Sequence, residues 1–145
     1  AMSFWDSSAI VPLCVHEPAS ALLRQISRSH GVPVVWWASL IECRSALERR
    51  ARAGQLKRGQ KRRAGRLLEQ LATAWSEVQP TLALRERAMR LLAPHDLRAA
   101  DALQLAAALV WAEERPAGRV FVCLDSRLRE SAEREGFTVL PENFE

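Results

Sequence analysis

The 145-residue sequence predicts an α/β domain with a largely parallel sheet, on three observations. Short runs such as "VPVVWW" and "RVFVCL" are apolar without alternation, as strands covered on both faces must be. Segments with helical apolar spacing separate these runs, which is the pattern of strand–helix–strand units with right-handed crossovers. The length fits one domain over residues 1–145, large enough to bury roughly 68–70% of its unfolded surface.

The elements follow in order. "SFWD" is a short strand, and the serines of "SSAIVPL" are placed to cap a brief helical turn. In "EPASALLRQISRSHG", Pro18 suits a first helical turn, Ala21, Leu22, Gln25 and Ile26 run at helical spacing, and Gly31 suits the stop. "VPVVWW" is the next strand and leads into the helix "SLIECRSALERRAR", opened by Ser39. Gly54 and Gly59 divide the following basic stretch into a helix end, a turn and a second helix over about Arg62 to Ser76. That helix places Leu67, Leu68, Leu71 and Trp75 on one face. A short strand is possible at "EVQP". An amphipathic helix, "LALRERAMRLL", then runs to near Pro94. "DLRAADALQLAAALVWAEE" is apolar almost all round from Ala102 to Ala112 and should be a central buried helix, with Asp96 a candidate cap. The strand "RVFVCL", the helix "SRLRESAEREG" closed by Gly136 and the strand "FTVL" complete the chain, which has no internal repeat.

Composition narrows the function classes. Hydrophobic residues make up 48% and charged residues 26%, which excludes a disordered or fibrous chain. Cys14, Cys43 and Cys123 lie in apolar surroundings without the CxxC spacing of zinc or redox sites, and read as reduced core residues of a cytoplasmic protein. No apolar run approaches the roughly 20 residues of a membrane span, no signal-type segment is present, and Ala1 before Met2 points to Met2 as the native start. The net charge of +4 is unevenly placed: Arg49 to Arg66 holds nine Lys or Arg and no acid, and the remainder has 12 basic against 17 acidic residues, a net of −5. Such a segment is either a solvated surface or an attraction for phosphates.

Four acids stand in equivalent places. Asp6 closes the first strand as Asp125 closes "RVFVCL", and in open parallel sheets the carboxyl ends of strands are where ligands bind. Glu42 and Asp101 lie near the starts of two helices that can face the same edge. Each has a local explanation: Ser39 and Glu42 make an S-x-x-E capping box, and Asp6 and Asp125 suit strand-to-helix turns, although Ser126 can cap the last helix and leave Asp125 free. Asp101 opens an otherwise apolar helix, where a charge needs a partner or a metal. Four clustered carboxylates would raise one another's pKa and call for a hard, oxygen-preferring cation, Mg2+ or Mn2+. One such ion, or two about 3.5–4 Å apart, would support metal-assisted hydrolysis.

"FWDSSAIVPL", "SLIECRSALERR", "LRAADALQLAAAL" and "CLDSRLRESAEREGFTVL" resemble, in order and spacing, the four acidic motifs of the PIN domain, specifically the VapC-type toxins of toxin–antitoxin pairs. The resemblance covers Ser3 to about Leu140. It implies a three-layer α/β fold with a parallel sheet of four or five strands flanked by helices. It also implies a metal site of Asp6, Glu42, Asp101 and Asp125 supported by Ser7 or Ser8, and an Mg2+- or Mn2+-dependent endoribonuclease, typically dimeric, restrained by a cognate antitoxin. On that reading Arg49, Arg50, Arg52, Lys57, Arg58, Lys61, Arg62 and Arg63 are candidates for RNA contact. The alternatives are a non-catalytic RNA- or partner-binding module on the same fold, and a receiver-type phosphate-accepting domain, against which "FTVLPENF" offers no Lys.

Overall fold

The computed structural model describes residues 1–143. Five strands form one sheet in the order β3-β2-β1-β4-β5, every neighbouring pair parallel: β1 (Met2–Trp5), β2 (Val32–Trp36), β3 (Ser76–Val78), β4 (Val120–Val122) and β5 (Thr138–Leu140). Among the described residues seven helices cover it: α1 (Ser7–Cys14), α2 (Ser20–Ser29), α3 (Ser39–Arg52), α4 (Arg58–Ala74), α5 (Leu82–Leu91), α6 (Ala99–Trp111) and α7 (Ser126–Glu135).

The apolar strands divide their side chains between two cores, which makes three layers. Phe4, Val34 and Phe121 pack with α5, α6 and α7, while Trp5, Val35 and Val122 pack with α1 to α4. Phe4 stacks on Phe121 at 5.3 Å between centroids, joining β1 to β4 on one face. Helix α6 carries a continuous buried run from Gln104 to Leu109, as its all-round apolar character predicts. Trp36 fills the core while Trp37 is 45% exposed.

Several local expectations are corrected. Asp6, not a serine, caps α1: its Oδ2 accepts from the Ser8 backbone N–H at 3.1 Å. Asp125 likewise caps α7, accepting from the Leu128 N–H, so Ser126 becomes the first helical residue rather than the cap. Pro18 lies before α2, and that helix buries Ser20, Leu23 and Ile26 while Leu22 is 43% exposed. The rotation has a cause in Ser20, whose hydroxyl accepts from the Glu17 N–H and donates to the Val15 carbonyl, which pins the helix start inward. Helix α4 begins four residues earlier than its apolar face suggests, with Gly59 inside its first turn. Asp96 does not cap α6; the cap position is Arg98, and Asp96 is an exposed partner of Arg127 at 3.7 Å.

Candidate active site

The chain order β1-β2-β3 grows the sheet in one direction, and β4 and β5 then add on the other side of β1. The reversal places the carboxyl ends of β1 and β4 side by side, the position where a parallel sheet opens a crevice. Asp6 follows β1 directly, and Asp125 lies three residues past β4. Helix α3, which follows β2, contributes Glu42 from its first turn, and α6 contributes Asp101 from its own first turn. All four acids, with Ser7 and Ser8, line one cleft of about 670 Å³.

Asp6 is the buried member, 4% exposed. Burial pushes its carboxyl up to about 6, the charges of Glu42 and Asp125 add to this, and two hydrogen bonds from Ser8 oppose it. Asp101 is also raised to about 6, first by burial and then by the charges of Asp125 and Asp6. Glu42 is raised by burial, against hydrogen bonds from Gln104 and Ser7. Desolvation therefore leads and mutual repulsion follows. The acids sense one another across the cleft, yet among the described residues no three His, Cys, Asp or Glu side chains close on a common point as a finished cage.

The two serines after Asp6 have different tasks. Ser7 donates to Glu42, linking α1 to α3. Ser8 accepts from the Leu124 N–H at 2.9 Å and donates to Cys123 Sγ at 3.7 Å, fastening α1 to the chain leaving β4. Cys123 lies directly beneath the acids, its thiol donating to Asp6 Oδ2 at 3.7 Å; burial and the Asp6 charge hold that thiol protonated. All three cysteines are buried and free.

Sequence reasoning missed Gln104. It is 1% exposed, one turn beyond Asp101 on α6, and its Nε2 donates to Glu42 Oε1 at 2.6 Å and to Ser39 Oγ at 3.0 Å. The expected Ser39–Glu42 capping box is absent, because Ala38 occupies the cap position and Ser39 faces the core. Glu42 is thus free of any capping task and is held toward the cleft instead. A buried glutamine in an apolar helix costs stability unless its amide is bonded, and this signal was present in "DALQLAAAL".

The basic candidates separate. Arg49 and Arg50 line the acidic cleft, where Ser45 Oγ holds Arg49 at 2.7 Å and Glu17 engages Arg50 at 2.8 Å. Arg58, Lys61 and Arg62 line a different groove between α3 and α4. Arg52, Lys57 and Arg63 line neither.

The donors around the cleft are carboxylate and hydroxyl oxygens with excess negative charge, a set that fits a hard divalent cation. A sequence model of the PIN domain family matches residues 4–139. No curated protein matches the chain by sequence. Solved structures that share its fold include PAE2754 from Pyrobaculum aerophilum, with TM-score 0.66, 21% identity, and coverage of 97% of this chain and 90% of that one. VapC20 of Mycobacterium tuberculosis, described as a sarcin–ricin loop cleaving toxin, has TM-score 0.62 and 18% identity, covering 95% and 97%. FitAcB from Neisseria gonorrhoeae has TM-score 0.61 and 15% identity, covering 96% of each chain.

Proposed function

The chain belongs to the PIN domain family, and from that premise we propose that it is an Mg2+- or Mn2+-dependent endoribonuclease, the toxin of a toxin–antitoxin pair. The observation that carries this reading is the meeting of four carboxylates, from two strand ends and two helix starts, in one cleft at the reversal point of the sheet.

Asp6 and Asp101 are the proposed direct ligands, with Glu42 and Asp125 completing the set or acting through water. A bound divalent ion would supply Lewis acidity, lowering the pKa of an attacking water and neutralising phosphate charge. The chain's own residues do the remaining work. Ser8 fixes the Asp6 carboxylate, while Gln104 and Ser7 hold the Glu42 carboxylate from two sides. Asp125 uses Oδ1 for the helix cap, and its Oδ2 remains for the cleft. Arg49, braced by Ser45, offers a guanidinium to an RNA phosphate beside the acids, a pairing that an acidic site needs because carboxylates repel the backbone.

For partners, we propose an antitoxin seated over the acidic cleft and a homodimer, the latter supported by Leu82, Met89 and Leu92, large apolar residues exposed along α5 and just past its end. No helix among the described residues is long and apolar enough to cross a membrane, and the reduced cysteines fit the cytoplasm.

Asp101→Asn is expected to abolish metal-dependent RNA cleavage with the fold retained by circular dichroism; unchanged cleavage would remove Asp101 from the site. Gln104→Leu is expected to weaken Mn2+ binding roughly 10–100-fold, the usual cost of losing a residue that orients a ligand. Calorimetric titration without RNA reads this directly. Unaltered Mn2+ affinity would reduce Gln104 to a packing residue. RNA binding without cleavage in the wild type would point to the non-catalytic module instead.

A further inference from the structure

The groove between α3 and α4 is separate from the acidic cleft. Around α3, at about 100° per residue, Glu42, Ser45 and Arg49 lie within about 60° of one another, and Arg44 and Glu48 lie about 130° and 90° from the centre of that group. The two flanks face the two concavities: the first group lines the cleft, while Arg44 and Glu48 line a groove of about 390 Å³ with Arg58, Lys61, Arg62 and Arg66 of α4.

Within the groove two cations are already matched, Lys61 to Glu48 at 2.9 Å and Arg44 to Glu69 at 2.8 Å. Gly65 makes room for the second pair, since a Cβ there would stand 2.8 Å from Arg44 Nη1. Arg58, Arg62 and Arg66 make no ion pair among the described residues and are exposed. They recur every four residues, so they form one stripe about 12 Å long on α4. Like charges at this spacing oppose the helix that carries them, and cations in its first turns, with no acid there, also oppose its dipole. Glu48 and Glu69 line the same groove but are engaged by Lys61 and Arg44, which leaves the groove with five cations against two acids.

We propose that this stripe is a second RNA-binding site, an exosite that holds the phosphate backbone of a structured RNA reaching around α3 from the cleft. The inference rests on the ribonuclease reading of the acidic cleft and adds a separate place, on the far side of α3, where the backbone of a folded RNA is held. A phosphate backbone fits better than an acidic protein segment. The apolar side chain in the groove, Leu47, is 2% exposed, so a protein partner would find no apolar anchor.

The test is RNA binding by fluorescence anisotropy in chelator, with two probes: a hexanucleotide that spans only the acidic cleft, and a stem–loop of about two helical turns. The triple variant Arg58→Glu, Arg62→Glu, Arg66→Glu is expected to bind the stem–loop at least about tenfold more weakly, with the salt slope reduced by about 3. The hexanucleotide affinity should change less than about twofold. The triple Arg→Gln variant, which relieves the like-charge stripe without building another, should show the same selective loss in smaller degree and melt at an equal or higher temperature. Unchanged stem–loop binding, as for a groove that docks an acidic protein, overturns the proposal. So does an equal loss on both probes, which marks a general charge effect. Because binding is read without metal, this outcome is independent of cleavage; a wild-type protein that fails to cleave in Mn2+ counts against the nuclease reading alone.

Discussion

Asp6→Asn is expected to raise the stability of the metal-free protein at pH 7.5 while cutting metal-dependent cleavage by at least roughly 100-fold, since an ion contributes several kcal/mol of transition-state stabilisation. The sign comes from the pKa. The folded-state value is about 6 against an ordinary 3.8. Below about pH 4 the carboxyl is protonated in folded and unfolded chains alike, and no penalty exists. Between about pH 4 and 6 the unfolded chain ionises while the folded protein keeps its proton, so up to about 3 kcal/mol of stability is lost across that window and stays lost above it. Asparagine keeps the cap, because its side-chain oxygen still accepts from the Ser8 N–H. Thermal melts at pH 4.5 and 7.5 should therefore separate wild type from variant by about 1 kcal/mol at the lower pH and by up to about 3 kcal/mol at the higher. Asp101, also raised to about 6, moves the wild type in the same direction. A variant less stable than wild type at pH 7.5 would assign Asp6 to structure instead.

Arg129→Met is expected to destabilise the fold strongly, although it removes no core volume. Arg129 is 8% exposed, and its guanidinium donates to the Cys123 carbonyl at 2.8 Å and to the Pro141 carbonyl at 2.6 Å. These charge-assisted bonds tie α7 to the ends of β4 and β5, two residues before Asp125. Methionine fills similar volume but leaves two inward carbonyls without their donor, a cost on the order of 3 kcal/mol. The melting temperature should fall by about 10 °C. A fall within two degrees would mean that water or neighbouring groups replace the guanidinium.

Arg129 also shows where the sequence is silent. "SRLRESAEREG" reads as a charged surface helix, and nothing local marks one arginine of it as buried; only the meeting of α7 with the ends of β4 and β5 does. The fold itself was legible, because unbroken apolar strands and an all-apolar helix admit few arrangements, and the sheet order then brings Asp6 and Asp125 together. The local roles were less so. Ser39 and Glu42 satisfy a capping pattern that the backbone does not use, since the chain enters α3 one residue earlier, through Ala38. Asp125 serves as a cap, and a single carboxylate has a second oxygen with which to serve the cleft as well. The basic stretch reads as one feature along the chain, but the turn at Gly54 sends its two halves to different grooves.

Whether the four-acid cleft cleaves RNA with a divalent ion is tested most directly by incubating the purified chain with end-labelled RNA in Mn2+, in Mn2+ with excess chelator, and in Mn2+ with the Asp101→Asn protein. Cleavage products in the first reaction alone are the expected result. Products of equal intensity in all three, or none in the first from a folded protein, would contradict it.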